Sequence, residues 1–282
     1  MTNFPAYPDL LVDSVGRVAR VKLNRPDRAN SLSPRLMDDV EDVCQRIYAD
    51  PELRVIVLSG AGKGFSGGYD IAPTSAAGPR SEAPSITADA ERIRGTADRW
   101  IRLWQGPKPV IAQVHGYCIA GGFELAMSCD LVIAGEDARF GFPPVRAQGI
   151  PPLMFYPWLM GMRRAKEFLW TGDMITGREA AEIGLINHSV APERLEEDAL
   201  AYAQRIALMD SELLTLSKRA LHAAYEAMGY LDSISVGVEF DAMAHLTRPA
   251  EEFRRIAREQ GLKAAVRWRD EPYEQESLRF GG

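Results

Sequence analysis

Four short apolar runs constrain this chain more than any other feature. They are Val18–Leu23, Val55–Leu58, Val110–Val114 and Asp130–Ala134. Each is too short for a core helix, and the later three run apolar with little alternation, as strands of a buried parallel sheet do. Segments of helical period separate them. Leu36, Met37, Val40, Val43 and Ile47 recur at helical spacing after Ser33, whose hydroxyl suits an N-cap, and Pro34, whose fixed φ suits the first helical position. A second helix is expected over Asp89–Trp104, stopped by Gly106–Pro107. Leu10–Val12 and Val18–Leu23, with Gly16 between them, read as a hairpin. Gly116–Gly122 reads as a loop into a short helix over Phe123–Ser128. The centre of the chain is therefore an α/β pattern with a mostly parallel sheet and helices on its faces.

The second half reads differently. Beyond Arg163 the pattern predicts helices over Arg163–Trp170, Arg178–Ile183, Pro192–Leu208, Glu212–Ala227, Asp232–Leu246 and Ala250–Arg258, with a last amphipathic piece after Gly261. Between the two halves of the pattern, Ala72–Ser85 is rich in Pro, Ser, Ala and Gly and reads as a surface loop. We expect a core over residues 1–195 and a helical region over 196–282.

Composition excludes several classes. The net charge of −6, without a basic stripe, gives no footing for nucleic acid. No apolar run approaches the roughly 18 residues of a membrane span. Cys44, Cys118 and Cys129 form no CxxC pair, and Met1–Asp9 lacks a basic-then-apolar leader pattern, so a reduced cytoplasmic protein is expected. His115, His188, His222 and His245 show no metal-ligand spacing, and no metal site is expected.

Two glycine-rich turns carry the chemistry. Gly62-Lys63-Gly64-Phe65-Ser66-Gly67 fits the GxGxxG pattern of dinucleotide sites, but no helix pattern follows the glycines to meet a pyrophosphate. The turn reads equally as a plain sheet-edge turn or as a cradle of backbone N–H groups for an anion or oxyanion. Gly121-Gly122 precedes a short helix, where a ligand can approach the backbone closely. Glu124 follows among Phe123, Leu125, Ala126 and Met127. On a buried face its carboxyl would have a raised pKa and could exchange protons. On the solvent side it would be an ordinary first-turn charge, and spacing alone leaves both open. Lys22, Arg25 and Arg28 could attract an anionic ligand locally.

In order along the chain, five segments resemble the crotonase (enoyl-CoA hydratase/isomerase) superfamily. They are Leu23–Leu32, Phe65–Ile71, Val110–Asp130, Phe140–Pro143, and Thr171–Gly172 with Ala180–Val190. The resemblance runs from about Leu11 to Trp268. It implies a crotonase-like spiral of ββα units with a helical C-terminal trimerisation region, assembled as a homotrimer or a dimer of trimers. It implies an acyl-CoA substrate, with coenzyme A carried on the substrate and no separate cofactor. Its implied catalytic set is the N–H groups of Tyr69 and Gly121, as an oxyanion hole, and Glu124 as acid/base. Arg25, Arg28, Ala29, Gly68 and Asp70 fall on the segments that line the coenzyme A. One departure matters. The family's second catalytic glutamate would follow Pro143, where this chain has Pro144, and the glycine-rich stretch after it is replaced by Ile150–Tyr156. The resemblance implies a lyase of the enoyl-CoA hydratase kind. Because ordinary hydration uses two carboxyl groups, the alternatives are an isomerase, dehydratase or hydrolase working from Glu124 alone, or a CoA-binding protein without turnover. Asp70, Glu239 and Asp241 are the other carboxylates considered for the pocket.

Overall fold

A computed structural model describes residues 4–71 and 85–275. The chain opens with the hairpin β1 (Leu10–Val15) and β2 (Val18–Leu23), turned by Gly16 at φ +59°. Helix α1 (Pro34–Ala49) follows, with the Ser33 hydroxyl accepting from Leu36 N–H. Next come β3 (Val55–Gly60), α2 (Ile86–Trp104), β4 (Val110–Val114), β5 (Tyr117–Ile119), α3 (Gly121–Met127), β6 (Leu131–Gly135) and β7 (Arg139–Gly141). The remainder is α4 (Tyr156–Thr171), β8 (Ile175–Thr176), α5 (Gly177–Glu182), β9 (His188–Val190), α6 (Leu195–Ile206), α7 (Ser211–Ala227), α8 (Tyr230–Ala244), α9 (Arg248–Gln260) and α10 (Leu262–Gln275).

The main sheet has the order β1-β2-β3-β4-β6-β9, parallel throughout except for the β1–β2 hairpin. A second, smaller sheet has the order β5-β7-β8. Single bridges, Ser66 with Cys118 and Leu32 with Tyr69, continue that second layer back along the chain. Each turn of chain thus lays one strand in the main sheet, one strand or bridge in the second layer, then a helix. Strand β3 leads to Ser66–Tyr69 and α2; β4 leads to β5 and α3; β6 leads to β7 and α4. This is the ββα spiral that the resemblance implies.

The larger core fills the space between the sheets and helices α1 to α4, with Trp100, Tyr156, Phe65, Phe123, Phe140 and Phe155 fully buried. On the outer face of the main sheet, Val18, Val55, Val57, Ile111 and Ile133 pack under Leu195, Ala199 and Ala203 of α6. Helices α9 and α10 share a separate small cluster around Phe253 and Ile256.

Several expectations are corrected. The stretch after Gly116 is not all loop, because Tyr117–Ile119 pairs in parallel with Arg139–Gly141. Helix α3 begins at Gly121 rather than Phe123. The part beyond Arg163 is not all helix: β8 closes the second sheet against β7, and β9 extends the main sheet beside β6. These strands are two or three residues long, and pairing to distant partners, rather than periodicity, makes them strands. Residues 72–84 of the expected loop lie outside the described residues, while Ser85 caps α2 by accepting from Ala88 N–H.

Candidate active site

The second layer brings the two glycine-rich turns together. Leu32 N–H donates to Gly68 O at 2.8 Å, and Asp70 N–H donates to Leu32 O at 3.1 Å. In this parallel bridge the groups of Gly68 and Asp70 face Leu32, so the N–H of Tyr69 faces the opposite side. That side holds the start of α3. A Cβ on Gly68 would lie 3.0 Å from Ala120 Cβ and 3.3 Å from Gly121 N, and Gly68 itself has φ +104°. Only glycine combines that conformation with so close an approach. Among the described residues, neither Tyr69 N–H nor Gly121 N–H donates a hydrogen bond. Two unused backbone donors, one peptide apart from a shared contact, are the material of an oxyanion hole.

Ala120 fixes the second donor. It sits at φ +52°, ψ −122°, a conformation that L side chains rarely adopt. Its N–H donates to Gly141 O at 3.0 Å, and its carbonyl accepts from Glu124 N–H at 3.0 Å. The end of β7 and the first turn of α3 thereby hold the strained peptide that presents Gly121 N–H.

Glu124 is fully buried, which overturns the solvent-side reading left open by its spacing. Its Oε2 accepts from the Tyr69 hydroxyl at 2.6 Å, and the indole N–H of Trp100 donates to that hydroxyl at 3.1 Å. Burial pushes the Glu124 carboxyl up to about 8; the Tyr69 bond opposes this, the charge of Asp241 adds to it, and Leu153 N–H opposes it. Among the described residues, Glu124 Oε1 and the hydroxyl of Tyr156 are buried without a hydrogen-bond partner of normal geometry. The Tyr69 ring crosses the start of α3 so closely that a Cβ on Gly121 would lie 2.7 Å from its Cδ2 and Cε2.

A second buried carboxyl stands behind this group. Asp241 of α8 accepts from Ile150 N–H at 3.0 Å, and burial raises its pKa to about 6. His245 Nε2 lies 3.5 Å from Asp241, and His245 Nδ1 lies 2.5 Å from Asp89 of α2. The Ile150–Leu153 segment therefore separates two acidic groups, with Asp241 at one end and Glu124 at the other. Glu239, by contrast, is on the exposed face of α8. Asp70 is ion-paired with Arg25 at 3.1 Å.

The other expected binding residues gather at one edge. Arg25 also donates to Ser31 O at 2.5 Å, and Ala29 O accepts from Gly67 N–H at 2.9 Å. Ala29 and Asn30 have positive φ, and Arg28 is exposed. Pro144 lies in a 3-10 turn, Pro143–Arg146, directly after β7; because β7 runs parallel to β5, this turn emerges at the same end as Gly121. Trp100 was not anticipated as part of the site. It is read in the sequence only as an apolar position of α2, 31 residues from Tyr69, and no local pattern connects the two.

Comparisons with known proteins show the family and the fold. The sequence model of the enoyl-CoA hydratase/isomerase family matches residues 14–274. A probable enoyl-CoA hydratase of Rhizobium meliloti (strain 1021) is 34% identical over 224 residues, covering 78% of this chain and 84% of that protein. An (E)-benzylidenesuccinyl-CoA hydratase of Thauera aromatica is 36% identical over 196 residues, 67% of this chain and 73% of that protein. Among solved structures, an enoyl-CoA hydratase from Mycobacterium smegmatis superposes with a TM-score of 0.89 at 33% identity, over 96% of each chain.

Proposed function

On the premise that the chain belongs to the enoyl-CoA hydratase/isomerase family, we propose that it binds an acyl-CoA thioester with the thioester oxygen between Tyr69 N–H and Gly121 N–H. The observation that carries this reading is the pair of neighbouring N–H groups without acceptors, set beside a fully buried Glu124. Charge that moves onto the thioester oxygen would be stabilised there, each donor contributing about 3 kcal/mol by comparison with other oxyanion holes.

Glu124 is the acid/base of this reading. With a pKa near 8 it exchanges protons readily at neutral pH. In a double-bond shift of a 3-enoyl thioester, the Glu124 carboxylate takes a proton from C2. The electron pair forms the enolate, whose oxygen the two N–H groups hold. The same carboxyl returns the proton to C4, and the C2=C3 bond and thioester carbonyl form together. One carboxyl is enough for that sequence, and Pro144 has none to add.

One observation favours hydration as a second reading. Asp241 is a second buried carboxyl whose charge reaches Glu124, and it enters from α8 rather than from the turn at Pro144. Coenzyme A arrives as part of the substrate, so this chemistry asks for no separate cofactor. The nucleotide portion would follow Arg25, Arg28 and Ala29, with Gly68 and Asp70 next to the hole.

We assign residues 1–195 to the thioester-binding core and 196–282 to a helical region that supplies Asp241. Exposed Leu213, Leu216 and Leu221 of α7 and Val236, Phe240 and Met243 of α8 support a homotrimer or a dimer of trimers. Three buried, unpaired cysteines support a cytoplasmic setting. Among the described residues no helix is long and apolar enough to cross a membrane. Side-by-side assays of 3-enoyl-CoA isomerisation and crotonyl-CoA hydration, with calorimetry of a CoA ester against its free acid, test the reading. Isomerisation faster than hydration is expected, with binding of the ester only. Equal affinity for ester and acid would overturn it.

A further inference from the structure

The side chain of Tyr69 has no role in an oxyanion hole, which uses only its N–H. Yet it makes the most specific contacts in the site. We infer that the Tyr69 hydroxyl, oriented by Trp100, is a positioning group that holds Glu124 Oε2 and leaves Oε1 as the oxygen that exchanges the substrate's proton. The inference rests on the acyl-CoA reading above and deepens it.

The direction of the hydrogen bonds is decided by chemistry. An indole N–H can only donate. Trp100 Nε1 lies 3.1 Å from the Tyr69 oxygen, so that oxygen accepts, and its own hydrogen is left for Glu124 Oε2 at 2.6 Å. A carboxyl with one oxygen held by a donor has one oxygen left to work with. Oε1, buried and without a hydrogen-bond partner of normal geometry among the described residues, is that oxygen.

The arrangement is also held mechanically. Trp100 is a buried residue of α2, in the main core. The Tyr69 ring lies against Gly121, where no side chain intervenes. The same residue therefore supplies a backbone donor and sets the orientation of the base. A chain that has proline in place of a second glutamate has particular use for this. With one carboxyl doing both transfers, its two oxygens must not interchange between taking the proton and returning it.

The groups facing Glu124 are Tyr69, Tyr156 of α4, Asp241 of α8 and the Leu153 N–H. Of these, Tyr69 donates the side-chain hydrogen bond that favours the ionised carboxyl. Tyr69→Phe keeps the ring and removes only the donor. Trp100→Phe keeps Tyr69 but frees its hydroxyl to turn.

The test has two readouts. The first is the Glu124 carboxyl itself, followed in the unliganded protein by its infrared C=O band, which Glu124→Gln identifies by difference. In Tyr69→Phe the band should persist to a pH higher by about one to two units, the scale of a hydrogen bond to a charged group. Trp100→Phe should move it in the same direction by less. The second readout is 3-enoyl-CoA turnover. The ascending limb of kcat/KM should shift upward with the band, so that kcat/KM at pH 7 falls by about tenfold or more while KM changes little. An unmoved infrared band in Tyr69→Phe would overturn the inference whether or not the protein turns over this ester. So would a Tyr69→Ala variant that gains activity on bulky acyl groups with an unshifted limb, because Tyr69 would then be a wall and not a positioning group. Absence of thioester binding with a shifted band would leave the Tyr69–Glu124 pair standing and sink the acyl-CoA reading instead.

Discussion

Glu124→Gln should make this protein more stable at alkaline pH while removing its proton chemistry. Burial holds the Glu124 carboxyl near 8, against an ordinary value of 4.5. Between those values the folded protein keeps a proton that the unfolded chain releases. Folding stability therefore falls as pH rises, by about 1.4 kcal/mol per unit. The stabilising contribution of the neutral carboxyl is fully present below 4.5 and lost as pH passes through 8. Between pH 5 and pH 8 the wild type should lose about 3 kcal/mol through this one group. Glutamine cannot ionise, so the variant escapes the loss. Its amide NH₂ replaces an oxygen without a hydrogen-bond partner of normal geometry among the described residues, a penalty of about 1–3 kcal/mol that does not depend on pH. Asp241, raised to about 6, contributes its own decline at lower pH in both proteins and largely cancels from the difference. The assay is urea unfolding of both proteins at pH 5 and pH 8 at one protein concentration. The difference in stability between variant and wild type should grow by about 3 kcal/mol over that interval. Parallel behaviour within about 1 kcal/mol would show that Glu124 is not the buried, proton-holding group described above.

Three further substitutions test the site. Gly121→Ala puts a methyl 2.7 Å from the Tyr69 ring; the ring must shift, at a cost of about 1–3 kcal/mol in denaturant unfolding, and kcat should fall while the ester still binds, because the N–H remains. Ala120→Gly relieves the conformation at φ +52°; strain of about 1–3 kcal/mol against a glycine entropy cost of about 0.5–1 kcal/mol predicts an unchanged or slightly higher unfolding midpoint with kcat preserved. Pro144→Glu supplies a carboxyl at the end of β7; crotonyl-CoA hydration should rise relative to isomerisation, and no change in that ratio would mean the Pro143–Arg146 turn does not face the acyl group.

Much of this arrangement is local and can be read locally. The Ser33–Pro34 start of α1 and the Val110–Val114 strand depend on adjacent residues and on burial of an unbroken apolar run. The pairing of the Phe65–Ile71 segment with Gly121 is legible only through the resemblance, because the bridges that create it join residues more than thirty positions apart. Strands β7, β8 and β9 are too short to carry a period, so their sequence alone cannot distinguish them from loop. The burial of Glu124 was one of two readings of its apolar neighbours, and tertiary packing chose between them. The role of the Tyr69 hydroxyl is not legible locally, because its partners Glu124 and Trp100 lie 55 and 31 residues away in the chain. Asp241 and His245 stand four apart on one helix, a spacing that could have marked them as neighbours before any coordinates.

The central claim concerns where a thioester oxygen lies, and a crystal structure with a bound acyl-CoA ester measures that directly. The account predicts the thioester oxygen about 2.7–3.1 Å from both Tyr69 N and Gly121 N, with Glu124 Oε1 facing the carbon beside the carbonyl and the Tyr69 hydroxyl still on Oε2. A thioester oxygen bonded elsewhere, with both N–H groups pointing at water or protein, would contradict it.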